Sequence, residues 1–577
     1  MTFSIMSTRN PFMQSSDFQA LSHVVGSFLA LAQTILLLPK QVKAKSILWV
    51  LALLSLIPYL ANVSSIMSMQ PPPLMHKHPV EALIVEASAN FKELLQRQSG
   101  HPQAALTEYR RRYGIEPPPG FEAWYKFAKE NQSPIIDDFD EIFNRISPFL
   151  KLSGMDFIRA MNEVQNTPNG DVWRCSVSGG RLEIRCRHHH RSFDRHYSLT
   201  FNTLLANMTN RLPGLDFLVN HLDEARVLLP PTRLPNGGNP RPKITDMPRQ
   251  PTWDVVTAGC SSGLGDLHND TATPSKQTIE TYGLPFVTNI SSSKDLCQHP
   301  EYKKMHGLLM SPTSFIPISG LVPVLSTGAL SPMGDILFPS PAYVVEPGFK
   351  YSPSTDIPWS WKRNNLYWAG STTGAYAHDD QWPNFQRQRF VRIAQNLQPG
   401  AQHSYLQSKD GIISVIKSSF LNSRLYDVAF TKIFQCSWAS CRSQRLFFPL
   451  KSWASKDEAL HSRLVFDIDG NGISGRFYKL LASKSTPLKQ TLLKEWHDER
   501  LIPWKHYVPV SQGMEELPEL VAFFTSTKEG KKRAKEIADA GSEWFGKAFR
   551  EADMGVYVYR LLLELARLQD PMREASW

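Results

Sequence analysis

Leu464-Val-Phe-Asp-Ile-Asp-Gly-Asn-Gly-Ile-Ser-Gly-Arg-Phe-Tyr-Lys-Leu-Leu-Ala482 is the stretch on which the fold turns. Its apolar opening reads as a buried strand, and the glycines after Asp469 read as a turn. A helix is predicted to open near Ser474, and a short strand, Thr486 to Leu488, to follow it. Strand, turn, helix and strand in that order are the unit of α/β folds. A helix N-terminus among small residues offers free N–H groups to an anion. Arg476 adds a guanidinium for phosphate, although it stands at the unfavourable end of the helix dipole. Together these features suit the diphosphate of a nucleotide.

Two other readings compete for the same residues. Asp467-x-Asp469-x-Asn471-Gly472 matches the opening of a calcium loop, but the twelfth position is Tyr478 and the bidentate carboxylate is missing. Asp467 and Asp469 also share a strand face, as a metal-bridging pair would. At a strand end the commoner role of such acids is to cap the turn.

Upstream lies Trp359-Ser-Trp-Lys-Arg-Asn-Asn-Leu-Tyr-Trp-Ala-Gly-Ser-Thr-Thr-Gly374. A strand, Leu366 to Trp368, runs there into a small hydroxyl-rich turn containing Gly370, Ser371 and Thr372. Gln386-Arg-Gln-Arg389 follows. Small hydroxyl donors near arginines suit a phosphate or a sugar, and equally a capped strand end. Further upstream, Leu215-Asp-Phe-Leu-Val-Asn-His-Leu-Asp-Glu224 is a strand that leads to two acids. Carboxylates just past a strand end are where α/β folds keep catalytic bases. The plain alternative is a solvated loop acid.

The whole chain has 577 residues, 42% hydrophobic and 20% charged, which excludes wholesale disorder. At about 100–200 residues per domain it holds about two to four domains. Forty-two prolines imply many rigid loops, six of them within 230–250. A net charge of +10 over this length is too dilute to indicate nucleic acid. His188, His189 and His190 sit in a basic stretch of the hairpin predicted over 172–199. They read as solvated, because neighbours on a strand point to opposite faces.

Between Lys45 and His76 there is no Lys, Arg, Asp or Glu. The run from Ser46 to Ile66 has about the 20 residues of a membrane span. A shorter run over 21–38 precedes it, and Lys40, Lys43 and Lys45 lie between the two. Basic flanks stay cytosolic, so either topology leaves the body lumenal. Sequons at Asn207, Asn269 and Asn289 agree with a lumen. So do six cysteines that neighbour one another as Cys175 with Cys186, Cys260 with Cys297, and Cys436 with Cys441. Six cysteines allow fifteen pairings, so the connectivity is open. The C-terminus lacks an endoplasmic-reticulum retrieval tetrapeptide, which favours the Golgi.

Several of these stretches resemble a known family. They are Tyr109-Arg-Arg-Arg-Tyr-Gly with Pro117-Pro-Pro-Gly-Phe121; Asn220 to Arg226; Leu366 to Gly374 with Gln386-Arg-Gln-Arg-Phe-Val391; Asp467 to Ala482; Pro503-Trp-Lys-His-Tyr-Val-Pro509; and Asp553-Met with Tyr559-Arg-Leu-Leu-Leu-Glu564. From about residue 80 onward the chain resembles the fungal capsule-associated glycosyltransferases, which share a domain with the protein O-glucosyltransferases of EGF repeats. The resemblance implies a GT-B-like α/β fold, with two Rossmann-like lobes facing a cleft. It implies inverting transfer from a UDP-sugar, xylose or glucose, to a glycan or glycoprotein. It places the general base at Asp223 and donor contacts at Ser371 and Arg387 (Arg389 being the alternative), with Asn471, Ser474, Gly475 and Arg476 in the second-lobe turn. Ala369 stands where many relatives carry Arg.

The expected organisation is an anchor region over 1–70, a helical stem over 71–150, a first lobe over 151–345, a second over 346–540 and a C-terminal helix over 541–577. No cofactor is expected, since arginines and helix N–H groups suffice for a leaving diphosphate; a divalent metal is the less favoured option. Expected partners are the UDP-sugar, the acceptor and the membrane. A non-catalytic glycan- or protein-binding member of the same fold is the alternative. A glycoside hydrolase would need two carboxylates across a cleft, which nothing here prefers.

Overall fold

A computed structural model describes residues 17–38, 49–50, 78–167, 170–177, 183–206, 208, 212–230, 241–262, 279–409, 412–453 and 455–576. The chain is mixed α/β, built around two five-stranded sheets. In the first, β1 (Val172–Val177) and β2 (Ile184–Arg187) form the antiparallel hairpin expected there. With β3 (Leu215–Asn220), β4 (Val324–Ser326) and β5 (Ile336–Leu337) the order is β2-β1-β3-β4-β5, the last three parallel.

The second sheet is parallel throughout. It comprises β6 (Arg363–Ser371), β7 (Tyr426–Lys432), β8 (Ser462–Ile468), β9 (Thr486–Gln490) and β10 (Val508–Pro509), in the order β7-β6-β8-β9-β10. A parallel sheet is covered on both faces, so its strands are apolar runs. β8 obeys: Leu464, Val465, Phe466 and Ile468 are all buried. The turn after it behaves differently from the sequence expectation. The helix opens at Phe477, not near Ser474, and spans only Phe477–Ala482. Residues 474–476 make a turn instead, with the Phe477 N–H bonded to the Ser474 carbonyl at 3.2 Å.

Among the helices, α1 (Asp17–Leu37) covers the shorter apolar run. No helix among the described residues is long and apolar enough to cross a membrane. In α1 the apolar run is diluted by Ser22, His23, Ser27, Gln33 and Thr34. The expected span over 46–66 lies outside the described residues apart from 49–50, as do the sequons at Asn207 and Asn269; Asn289 is exposed.

The segment expected as a stem is part of the body. From α2 (Pro79–Gln96), Val80, Leu83, Ile84 and Ala87 enter the apolar cluster of the second sheet. From α3 (Pro102–Tyr113) and α4 (Phe121–Glu130), Tyr109, Phe121 and Trp124 enter that of the first. An apolar helix face gains more by covering a sheet than by standing in water. Polar ties hold these helices as well: Glu81 pairs with Arg533 at 2.7 Å, and His78 with Glu519 at 3.0 Å. Of the basic run in α3, Arg110 and Arg111 are exposed, whereas Arg112 turns to Asp138 and Asp140 at 3.1 and 3.2 Å.

The C-terminal helix expected over 541–577 is two helices, α8 (Lys528–Ala548) and α9 (Glu551–Leu568). Asp553 accepts the Arg550 N–H and guanidinium at 3.1 and 2.7 Å, and its own N–H returns to the Arg550 carbonyl at 2.9 Å, which starts α9 afresh. α9 then crosses to the first sheet. Trp124 donates its indole N–H to the Val556 carbonyl at 2.9 Å, and Tyr557 its hydroxyl to Leu337 at 3.1 Å. A Cβ on Gly555 would stand 2.3 Å from the Leu204 carbonyl, so glycine is what permits the approach. The disulfides are Cys175–Cys186, Cys260–Cys297 and Cys436–Cys441, the three neighbouring pairs.

Candidate functional site

The carboxyl ends of β3, β6 and β8 meet. A Cβ on Gly472, in the turn after β8, would lie 2.2 Å from the carbonyl oxygen of Asp223, in the loop after β3. A Cβ on Gly307 would lie 2.3 Å from the carbonyl of Gly374, in the turn after β6. Asn471 Oδ1 accepts from the Gly374 N–H at 3.0 Å and from the Thr313 hydroxyl at 3.4 Å. The crevice at strand ends is where open α/β sheets place ligands. Here backbone approaches that only glycine allows bring the two sheets together around it.

On the first-sheet side, Asn220 organises the loop. Its side-chain N–H groups reach the Leu222 and Glu224 carbonyls at 3.2 and 2.7 Å, and its Oδ1 accepts the Leu222 N–H at 3.0 Å. Asp223 is thereby held with a side chain 44% exposed. Arg195 donates to its Oδ1 at 2.9 Å, and the same guanidinium donates to the His221 carbonyl at 2.6 Å. Asp223 Oδ2 makes no hydrogen bond with the described residues and stays accessible to a ligand. Arg195 was not singled out from the sequence; it stands in the basic stretch with the histidines, where nothing marks one cation from the next.

On the second-sheet side the floor is Trp368. The guanidinium carbons of Arg387 and Arg476 lie 5.7 and 5.8 Å from its ring centroid. Gly370 lets the ring fold back, since a Cβ there would be 2.7 Å from it. Arg387, on α5 (Gln386–Ala394), spends its donors on the turn: Asp469 carbonyl at 2.8 Å, Ser371 carbonyl at 3.1 Å and Thr373 hydroxyl at 2.5 Å. Burial first, then the charge of Arg476, push its guanidinium down to about 9. Among the described residues Arg476 donates to the Ala369 carbonyl alone, at 2.9 Å, which leaves most of its donors for a ligand. Arg389 points elsewhere, to the carbonyls of Met305 and Gln512 at 2.8 and 2.6 Å.

The remaining donor-side candidates divide. The Ser371 side chain is partly exposed, with its hydroxyl 3.3 Å from that of Thr373. Thr372 is buried and exchanges hydrogen bonds with the Phe434 backbone at 2.8 and 3.0 Å, so its hydroxyl shapes the turn. Ser474 donates its hydroxyl to Asp467. Gly475 packs on Ala342 and Phe349.

Asp467 is buried between Ser474 and Lys489, whose ammonium stands 2.9 Å away. Asp469 Oδ2 takes the Thr491 hydroxyl at 3.0 Å and the Leu492 N–H at 2.9 Å, with His306 Nε2 at 3.5 Å. Burial pushes the Asp469 carboxyl up, and His306, Lys489 and Thr491 outweigh it, so it lies below its ordinary value. Asp469 Oδ1 is buried without a partner. Among the described residues no three His, Cys, Asp or Glu side chains gather as a metal site. Asp467 is paired with Lys489, and Arg387 and Arg476 at Trp368 bring two guanidiniums to the same turn, the donor type that suits a diphosphate.

Fold and site together define a class: a mixed α/β chain with an acid held against a glycine-rich turn that carries two arginines. The particular match is to glycosyl transferase family 90, whose sequence profile covers residues 412–575. That segment holds the 471–476 turn; Asp223, Ser371 and Arg387 lie outside it. The chain also shares this domain with protein O-glucosyltransferases. It is 34% identical over 149 residues to an O-glucosyltransferase rumi homolog of Aedes aegypti, covering 25% of this chain and 35% of the relative. It is 25% identical over 158 residues to protein O-glucosyltransferase 2 of Danio rerio, covering 27% and 30%. The chain thus spans about a third of the length of these relatives.

Proposed function

We propose that the protein is a membrane-anchored inverting glycosyltransferase that moves a sugar, xylose or glucose, from a UDP-sugar to a hydroxyl of a glycan or glycoprotein. The observation that carries this reading is the contact of the Asp223 loop with the Gly472 turn, beside the guanidiniums of Arg387 and Arg476. The relatives' names support a glucose donor and a protein acceptor. Two sheets meeting at their carboxyl ends support a GT-B-like arrangement of lobes.

In this mechanism Asp223 Oδ2 takes the proton of the acceptor hydroxyl as its oxygen attacks the anomeric carbon. The bond from that carbon to the phosphate oxygen breaks, and UDP leaves with the electron pair. Attack opposite the leaving group inverts the centre. Arg476, steered by Arg387 beneath it, stabilises the charge that grows on the diphosphate. A divalent metal is not required, and transfer should persist in EDTA. The anchor is the charge-free run over 46–66, with the lysines before it cytosolic. The body is lumenal, in the Golgi rather than the endoplasmic reticulum, and the three disulfides support an oxidising compartment.

The test is UDP release from a panel of UDP-sugars with sugar and glycoprotein acceptors. Asp223→Asn should lower transfer by at least about 100-fold while UDP binding is kept. Full activity in that variant would remove Asp223 from the role of base.

A further inference from the structure

Glu224 is a buried acid beside an exposed one. Its residue is 1% exposed, and its carboxylate has no ion pair among the described residues. The charged groups facing it are Asp223, Arg195 and Arg226. Its partner is Ser314, whose N–H reaches Oε1 at 3.1 Å and whose hydroxyl reaches Oε2 at 3.0 Å. Burial pushes the carboxyl up to about 7. A buried carboxyl without a counter-ion costs stability, and an amide or apolar side chain would serve packing better. Its presence asks for another reason.

The hydrogen bonds beyond Ser314 supply one. Thr313, the next residue, donates to Asn471 Oδ1, and the same oxygen accepts the Gly374 N–H. One path therefore runs from the loop of Asp223, through Glu224, Ser314, Thr313 and Asn471, into both donor-side turns. It lies beside the direct backbone contact of Asp223 with Gly472. Two links between the same pair of segments set their spacing as well as their contact.

We propose that Glu224 is a positioning residue, holding the loop of Asp223 in register with the turns at 371–374 and 471–474. The proposal rests on the reading of Asp223 as base and of those turns as the donor site. Glu224 touches neither substrate. It acts through Ser314, and its loss should misplace the base relative to the donor.

The experiment is amide hydrogen exchange on the full chain, without ligand and with UDP, alongside steady-state kinetics. In Glu224→Ala, exchange should rise about fivefold or more at 371–374 and 471–474, with the amides of β3 unchanged. Glu224→Gln should stay within about twofold of the parent, because the amide oxygen still accepts from Ser314. In turnover, Glu224→Ala should lose about 10- to 100-fold in kcat with donor KM within about threefold, and Gln should restore kcat. Should Glu224→Ala fail to fold, Ser314→Ala removes the hydroxyl half of the link while the backbone N–H still reaches Oε1, and should raise exchange at the same turns by a smaller factor, about twofold. Parent-like exchange at 471–474 and parent-like kcat in a folded Glu224→Ala would overturn the proposal. A general rise in exchange across the first sheet would also overturn it, marking Glu224 as packing alone. If the parent binds no UDP, the donor-site reading fails, and the ligand-free exchange still decides the coupling.

Discussion

Arg387 and Arg476 look alike in sequence and do different work. Arg387 is buried and commits its guanidinium to backbone carbonyls of the turn. Arg476 is half-buried and makes a single hydrogen bond with the described residues. Arg476→Ala should therefore weaken UDP binding about tenfold or more with little change in melting temperature. Arg387→Ala should lose both, since unpaired carbonyls are left buried, at about 1–3 kcal/mol for each such group. Calorimetry with UDP and thermal denaturation separate the two. Glu224 carries a pH signature of its own. Its folded pKa of about 7 lies above the ordinary 4.5. The folded state holds the proton more tightly, so stability is greatest below the unfolded pKa and falls as pH rises through about 7. Glu224→Gln should flatten that fall between the two values, read as melting temperature against pH. The opposite slope would show that the carboxyl is ionised throughout.

Between residues and whole chain stand the turns, and here glycine decides. The turn after β8 approaches the Asp223 loop so closely that a methyl group on Gly472 cannot be placed without moving one of them. Gly472→Ala should lower kcat about 100-fold, because displacements near 1 Å at a reacting centre have that effect. Its measure is single-turnover transfer, with UDP binding as the control. The strand and turn of this segment were legible, since an apolar run followed by glycines leaves little choice. The helix start was not. The Ser474 hydroxyl goes to Asp467, a buried acid that must be satisfied, and the helix begins three residues later. Local pattern shows a capping serine, but it does not show which neighbour will claim it.

Across the whole molecule the C-terminal helices are bound to the helices over 79–130. α9 lies against α4 and the first sheet, whereas α8 divides its apolar face, Ala534 and Ile537 entering the cluster of the second sheet and Trp544 and Ala548 that of the first. The indole of Trp124 is fully buried and bonded to α9. Trp124→Ala should cost about 3–5 kcal/mol and loosen the packing of α9, observable by chemical denaturation and by protease cleavage after residue 550. The disulfides act locally by comparison. Cys175 and Cys186 sit opposite each other in the β1–β2 register, so that bridge adds to a pairing already made by hydrogen bonds.

Period and composition carried the α/β class and the strands at 366–368, 464–468 and 486–488, because burial on both faces writes itself into neighbouring residues; the pairing of those strands and the break of the C-terminal helix at 549–550 were not legible. The cysteine connectivity was open in the sequence, one of fifteen pairings, and the fold settles it on the three neighbouring pairs. The members of the site were visible one at a time, as a glycine turn, an acid past a strand and an arginine on a helix. Their assembly was not visible, because Thr313, Arg195 and Trp368 reach the crevice through contacts between segments far apart in the chain. Nor could sequence show that residues 78–150 fold into the body rather than project from it. An amphipathic helix announces its apolar face, and the surface that face will cover is settled only by long-range packing.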